Sequence, residues 1–287
     1  MYFIGAHINR KKTLFDTMET IKTNGGNALQ IFVSNPRSAS LVNIEYYDNN
    51  AHIIRKYCND NNFKLVIHSP YIINLAKEAK NGKKIIDLKD CYWVKLLLHE
   101  LYISQLIGAV GVVVHVGKHT TLSYEEGLKN MFSVIKYIIS EMRVNNYHTK
   151  LIIETPAGQG TELLTDLCNF KDFYNNFSKD DKKYLGICLD TAHIWSAGYE
   201  LEHSLEILSE KNKKDIVIIH YNNSKDIKGA RVDRHETIFE GVIPKKSMDT
   251  FLYSIRELSI QPLIILETPS NEYKNEIDYI KKCLQDQ

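Results

Sequence analysis

Long apolar runs are missing. No window approaches the ~20 residues that a membrane span needs, although hydrophobic types supply 44% of the 287 residues. The opening MYFIGAHINRKK puts its basic residues after its apolar ones, the reverse of a secretory signal. Together these lead us to expect an intracellular, cytoplasmic protein with no membrane partner, nuclear or virus-associated if the source is eukaryotic or viral. Cysteine is sparse: Cys58, Cys91, Cys168, Cys188 and Cys283 form no C-x-x-C pair. That argues against a disulfide framework and against a thiolate zinc knuckle, so any metal would fall to histidines and carboxylates. Net charge is nearly absent, with 36 Lys and Arg against 35 Asp and Glu. The total therefore names no partner, although basic residues can still gather on one face. No Pro/Gly/Ser-rich linker divides the chain, which we read as one domain over residues 1–287. No Ser/His/Asp or Cys/His arrangement has local support, which leaves no protein nucleophile to propose.

What is present is a succession of eight short apolar runs: YFIGAH (2–7), ALQIF (28–32), KLVIH (64–68), GVVVH (111–115), KLIIE (150–154), LGICLD (185–190), DIVIIH (215–220) and PLIILE (262–267). Nearly continuous Val, Ile and Leu without polar alternation marks strands buried on both faces of a parallel sheet. Helical periodicity fills the gaps, in segments such as LFDTMETIKT (14–23), YEEGLKNMFSVIKYIISEM (124–142), ELEHSLEILSEK (200–211) and EYKNEIDYIKKCL (272–284). Strand and helix alternating eight times predict an α/β protein, a single (β/α)8 TIM barrel. An open doubly wound sheet is the other arrangement that fits.

Six of the runs end on a side chain able to bind metal: His68, His115, Glu154, Asp190, His220 and Glu267. One such residue alone is usually a loop starter or helix cap. Six of eight by accident would be on the order of a one-in-a-thousand event. In a barrel the carboxyl ends of all strands meet at one mouth, where active sites lie. Converging carboxylates and imidazoles call for neutralisation, and divalent cations supply it. A His/Asp/Glu set without thiolates suits Zn²⁺ or Mn²⁺, zinc being favoured by the number of imidazoles. The D-T-A-H turn adds His193 beside Asp190, and RVDRHE offers Asp233 and His235 at a spacing that points both one way in extended backbone. Nine ligands exceed the needs of one ion and imply two or three. His52, His99 and His203, inside expected helices, and His148, in a loop, are read as structural. For His7 and His119, nearer the mouth, a structural role and a supporting or substrate-facing one stand equal.

HSPYIINLA (68–76), GICLDTAH (186–193) and HYNNSKDIKGARVDRH (220–235) resemble the recurrent motifs of the endonuclease IV family of apurinic/apyrimidinic (AP) endonucleases. The likeness runs on in order through HVGKH (115–119), ETPAGQG (154–160) and IILET (264–268). It implies three zinc ions, with manganese a possible substitute: one on His68, His115 and Glu154, a second on Glu154, Asp190, His220 and Glu267, a third on His193, Asp233 and His235. Glu154 and Glu267 would be the catalytic carboxylates, acting with a metal-bound hydroxide that attacks phosphorus. The implied substrate is double-stranded DNA with an abasic site, cut on the 5′ side to leave a 3′-hydroxyl and a 5′-deoxyribose phosphate, with 3′-repair phosphodiesterase activity besides. The protein would work as a monomer. Lesion recognition by bending and flipping would fall to loops resembling SNPRSAS and HSPYII, nominating Asn35, Arg37, Tyr71 and Ile72. Lys118, His119, Lys225, Lys228, Arg231 and Arg234, with Lys77, Lys80, Lys83 and Lys84, would gather on the mouth loops as phosphate contacts. Three departures stand out. Asn223 replaces an acid expected to support the ligands, Val116 replaces a proline, and Pro36 stands where a polar residue is usual. A metal-dependent sugar isomerase or epimerase on the same barrel is the alternative, one with no need of Asp233-x-His235 or of the wedge loop.

Overall fold

Valine, isoleucine and leucine stiffen the eight runs into extended backbone, and every one becomes a strand of one parallel barrel. The computed structural model describes residues 2–208, 210–270 and 273–285. The strands are β1 (Ile4–His7), β2 (Ala28–Ile31), β3 (Lys64–His68), β4 (Gly111–His115), β5 (Lys150–Glu154), β6 (Leu185–Asp190), β7 (Ile216–His220) and β8 (Leu263–Leu266). Each pairs with its neighbours in sequence, and β1 closes the circle against β8 through Ile4–Ile264, Gly5–Ile265 and Ala6–Leu266. The closed barrel excludes the open sheet. Gly5 makes the close approach to β2 possible, because a Cβ there would lie 1.5 Å from the Ala28 carbonyl oxygen.

Two separate cores follow from period-two alternation along the strands. Inside the barrel sits a small plug of Ala28, Val66, Val113, Ile152, Cys188, Ile218, Leu263 and Ile265. Outside, the opposite strand faces and the helices share a far larger core that includes Trp93, Phe170, Phe251 and Ile280. Helix starts follow their caps: Thr13 with Asp16 and Ser123 with Glu126 form capping boxes, each satisfying two orphan N–H groups. The helix Tyr92–Ile107 stops at Gly108, whose φ of 71° is left-handed. The expected helix over 200–211 is instead two pieces, Leu201–Ile207 and Glu210–Lys213, on either side of residue 209, which lies outside the described residues. Residue 272, the first of the last expected helix, also lies outside them, and that helix runs Tyr273–Gln285.

Asp181 anchors the underside. It is buried against Lys136 at 2.8 Å and Arg143 at 3.2 Å, and it accepts the backbone and hydroxyl bonds of Ser178. Burial alone would raise its carboxyl, but Lys136 and Ser178 outweigh that and hold it down at about 2, against 3.8 ordinarily. A depressed carboxyl stabilises the fold above its unfolded value and stops doing so as pH falls through its folded one. Asp181→Asn is expected to cost about 1 kcal/mol at pH 6, a modest figure because both cations are half exposed. In urea titrations the gap from the parent should shrink between pH 4 and pH 2; a constant gap would refute the assignment.

Candidate metal centre and its rim

The inward-facing residues of the apolar plug fix what comes two positions later on the same face. Beyond Ala28 stands Gln30, beyond Val66 His68, beyond Val113 His115 and beyond Ile152 Glu154; Cys188, Ile218 and Ile265 lead in the same way to Asp190, His220 and Glu267. With His7 at the end of β1, each of the eight strands delivers one polar residue to the mouth, Glu267 lying one position past the end of β8. All six strand-end residues expected from sequence are therefore brought together. His193, Asp233 and His235 join them from the loops.

Donor atoms gather in overlapping groups: His68, His115 and Glu154; Glu154, Asp190, His220 and Glu267; and Asp190, His193 and His235, with ligand atoms inside each group within 4.8 Å of one another. Asp233 Oδ1 lies 3.2 Å from both His193 Nε2 and His235 Nε2, which completes the last group. Asp190 thus faces two groups, where sequence had assigned it to one. Cys188 lies beside Glu154 and His220, but burial pushes its thiol up to about 12, which leaves it a protonated wall behind the oxygen and nitrogen donors.

Whether these residues fit a cation can be tested on the side chains themselves. Two ligands of a tetrahedral zinc ion, each ~2.0–2.1 Å from it, stand about 3.3–3.4 Å apart. Glu154 Oε2 lies 3.5 Å from His68 Nε2 and 3.4 Å from His115 Nε2, and it is buried with no hydrogen bond. His193 Nε2 and His235 Nε2 are likewise buried without one. The far ring nitrogens are engaged: Nδ1 of His68 bonds the Ser69 carbonyl at 2.9 Å, Nδ1 of His193 that of Thr155 at 2.8 Å and Nδ1 of His235 that of Glu267 at 3.3 Å. A carbonyl only accepts, so each Nδ1 carries a proton and each Nε2 faces the group as the nitrogen left to bind a metal, as in metal-binding histidines. The electrostatics agree. Burial raises the Glu154 and Glu267 carboxyls, yet the imidazoles of His115 and His220 beside the first, and of His220 beside the second, hold both well below the usual range. Burial disfavours a charged His193, but Asp190 and Asp233 outweigh it and raise its pKa well above normal. Four clustered carboxylates that draw protons onto their neighbours are a site built for cations. The residues fit.

Local structure explains how the loop ligands arrive. Asp190 caps the helix Thr191–Ser196, its Oδ1 accepting from His193 N at 2.7 Å, so D-T-A-H is the first turn of a helix and not the free turn expected. Ser196 Oγ accepts from Val232 N at 2.8 Å and donates to Val232 O at 2.7 Å, clipping the loop that carries Asp233 onto that helix. A ribbon of Asn223–Ser224 with His235–Glu236 returns the chain. Gly117 lets the loops after β3 and β4 touch, since a Cβ there would meet Ala76 N at 2.4 Å. Asn74 then clasps Lys118 through two 2.9 Å bonds.

One expectation is overturned. Asn223 touches no ligand: its amide oxygen accepts from Ser224 N and Ile243 N, and its nitrogen donates to the Ile238 and Ile243 carbonyls, so it braces a loop where an acid was thought missing from the metal site. The supporting residues are ones that sequence reasoning passed over. Asn222 donates to Asp190 Oδ2 at 2.8 Å and accepts from Glu267 N at 2.7 Å, and Thr155 Oγ1 accepts from Asp190 N at 3.0 Å. His7 Nδ1 lies 2.9 Å from Glu267 Oε1, a supporting place, whereas His119 is tied to the Leu122 carbonyl in its own loop.

Above the donors opens a cleft of about 670 Å³ lined by His7, Phe32, His68, Tyr71, His115 and Asp233 and reaching out to Lys11. Glu154 is 1% exposed at its floor, while His115 and Asp233, at 23% and 33%, face the opening. Tyr71, 59% exposed, stands over it with its ring 5.9 Å from those of His68 and His115. Ile72, also expected to project, is partly buried against the core instead. Asn35 is exposed and folds back on its own loop, accepting from Arg37 N at 2.9 Å, and Pro36 O accepts from Tyr71 N at 2.9 Å, joining the two rim loops. Arg37 is exposed, and among the described residues no carboxylate pairs with it or with Arg231. Three other expected phosphate contacts already have acidic neighbours: Lys118 with Glu162 at 3.4 Å, Lys225 with Glu236 at 3.7 Å and Arg234 with Asp226 at 4.0 Å. Lys80 pairs with Glu78.

Barrel and donor ring place the chain among the xylose isomerase-like TIM barrels, and the family model of that description matches residues 18–283. A D-tagatose 3-epimerase-like protein shares the fold, with a TM-score of 0.71 at 20% identity over 98% of this chain and 97% of its own. Endonuclease IV from Thermus thermophilus superposes with a TM-score of 0.77 at 22% identity, over 99% of this chain and 100% of its own. The probable endonuclease 4 of Mycoplasmopsis agalactiae is 30% identical over 275 residues, 94% of this chain and 92% of that protein. Within the barrel class, the chain belongs to the endonuclease IV family.

Proposed function

We propose that this protein is a metal-dependent DNA-repair endonuclease that hydrolyses the phosphodiester 5′ to an abasic site in duplex DNA, leaving a 3′-hydroxyl and a 5′-deoxyribose phosphate, with 3′-phosphodiesterase activity at the same centre. The observation that carries the reading is one carboxylate, Glu154, shared between two donor groups beneath an open cleft, where Tyr71 of the lining is tied to the loop that carries the exposed Arg37. His68, His115 and Glu154 would hold one ion, Glu154, Asp190, His220 and Glu267 a second, and His193, Asp233 and His235 a third, zinc being the ion that imidazole-rich sets favour. Cations held there supply Lewis acidity to a phosphoryl oxygen and lower the pKa of bound water. The chain's own part is positional. Asn222 and Thr155 hold Asp190, backbone carbonyls fix the imidazole tautomers, and the apolar plug below excludes water from the floor. Tyr71, over the cleft, and Arg37, on the adjoining loop, would read the flipped abasic sugar and the gap in the stack. The pair Asp233 and His235 and this rim favour a nuclease over a sugar isomerase. We infer an intracellular, monomeric enzyme.

The test is direct: purified protein should contain about three zinc ions by elemental analysis and nick a duplex with one stable abasic analogue, without added Mg²⁺, while sparing the intact duplex. Equal cutting of both duplexes, or a protein devoid of metal, would defeat the proposal. Arg37→Ala is expected to weaken binding of the abasic duplex by about tenfold, ~1–2 kcal/mol for an exposed phosphate or gap contact, with metal content unchanged. Loss of zinc in that variant would contradict the division between rim and floor.

A further inference from the structure

Seven of the eight residues that the strands send to the mouth are His, Asp or Glu; the eighth, Gln30, is fully buried and bonded through both ends of its amide. A carboxylate only accepts hydrogen bonds, so the amide nitrogen of Gln30 faces Glu267 Oε1, at 2.7 Å. Its oxygen then faces His220 Nε2 at 2.9 Å, and that ring nitrogen must carry the proton. With Nε2 so engaged, His220 turns its Nδ1 toward Glu154 Oε1 at 2.8 Å, Glu267 Oε2 at 3.1 Å and Asp190 Oδ2 at 3.7 Å. Three carboxylate oxygens around one ring nitrogen call for positive charge among them, carried by a proton on Nδ1 or by a cation that takes the Nδ1 lone pair. Among His68, His193, His220 and His235, only His220 turns Nδ1 inward and sets its outer nitrogen against a side chain and not a backbone carbonyl.

We propose that Gln30 is a positioning residue for the cation held by Glu154, Asp190, His220 and Glu267, selecting the His220 tautomer and turning Glu267 so that its second oxygen stays with the group. The assignment rests on the metal-dependent reading above. It also explains why an amide occupies this place. Glutamate could accept from His220 but could not donate to Glu267, lysine or arginine could donate but not accept, and an aliphatic side chain could do neither.

The experiment compares the zinc-loaded full chain with Gln30→Met, which keeps length and volume, and with Gln30→Glu, which keeps only the acceptor. During timed exposure to a chelator, Gln30→Met is expected to release one ion per chain about 10–100-fold more readily than the parent, with unchanged circular dichroism. Imidazole ¹⁵N spectra should show His220 protonated at Nε2 in the loaded parent and at a mixture of positions in Gln30→Met. Gln30→Glu should keep the Nε2 proton and still lose the ion, because it sets a second carboxylate against Glu267. Equal chelator resistance of Gln30→Met and parent overturns the proposal, as does a loaded parent carrying the His220 proton on Nδ1, a readout that needs no variant to fold. A parent that binds no divalent ion defeats the metal-dependent reading as well, whereas a parent that loads normally beside an unaffected Gln30→Met defeats only the role of Gln30.

Discussion

Glu154→Gln is expected to reduce nicking of an abasic duplex by at least ~10³-fold, equivalent to about 4 kcal/mol of transition-state stabilisation. Glu154 is the one side chain whose two oxygens serve different groups: Oε2 faces His68 and His115, while Oε1 faces His220. An amide keeps the volume but removes the charge and replaces one lone-pair-bearing oxygen with N–H hydrogens, which would point either at two imidazole donors or at His220. Both arrangements lose an ion. The loss should register in stability too, because cations bound only by the folded state stabilise it by mass action, ~2.7 kcal/mol at a hundredfold excess over the dissociation constant. Chelation should therefore lower the melting temperature of the parent by roughly 5 °C or more and that of Glu154→Gln by clearly less. A variant that nicks within tenfold of the parent, or responds to chelator as the parent does, would remove Glu154 from the centre of the mechanism.

The strands were legible because burial on both faces leaves short, continuous runs rich in Val and Ile, whose length and branching separate them from buried helix, and β3 to β6 begin and end where the apolar runs do. Six floor residues were legible for a related reason. A strand that must be apolar to its last residue makes a terminal His, Asp or Glu conspicuous. Gln30 escaped because it is not a ligand type and sits one residue before the end of β2, although a lone polar residue two positions after the inward-facing Ala28 was the available signal. His193, Asp233 and His235 could be nominated from their short spacings to Asp190 and to each other but not positioned, since their arrival depends on the Asp190 cap and on the Ser196 clip made across loops. The misreading of Asn223 has the same origin. Neighbours in sequence, Asn222 and Asn223 point to opposite sides of an extended segment, so one supports the ligands and the other braces the loop up to Ile243. Charge on the rim was countable from sequence but its pairing was not, and Lys118, Lys225 and Arg234 each found a carboxylate that sequence distance had hidden.

Inserting a single alanine between Thr191 and Ala192 should remove at least one ion and reduce nicking by roughly 10²-fold or more, while leaving the barrel folded. Asp190 ends β6 and opens the helix Thr191–Ser196, so its position is fixed by the sheet, while that of His193 is fixed by helical phase. One extra residue turns His193 by about 100° and lifts it ~1.5 Å. Its Nε2 then leaves Asp233 and its Nδ1 leaves the Thr155 carbonyl, contacts now at 3.2 and 2.8 Å. The Asp190 cap can re-form on the N–H of Ala192, which then stands third in the helix, so the insertion costs little helix stability and leaves the barrel of eight closed strands folded. The group of His68, His115 and Glu154 shares no atom with this turn and should keep its ion. A second insertion, between Ala197 and Gly198, lies beyond both ligands and should spare the ion count, which separates a register effect from general damage to the loop. If the first insertion keeps every ion and full activity, the spacing from Asp190 to His193 does not set the distance between metals; if both insertions lose ions equally, the helix matters as a whole and not through its phase.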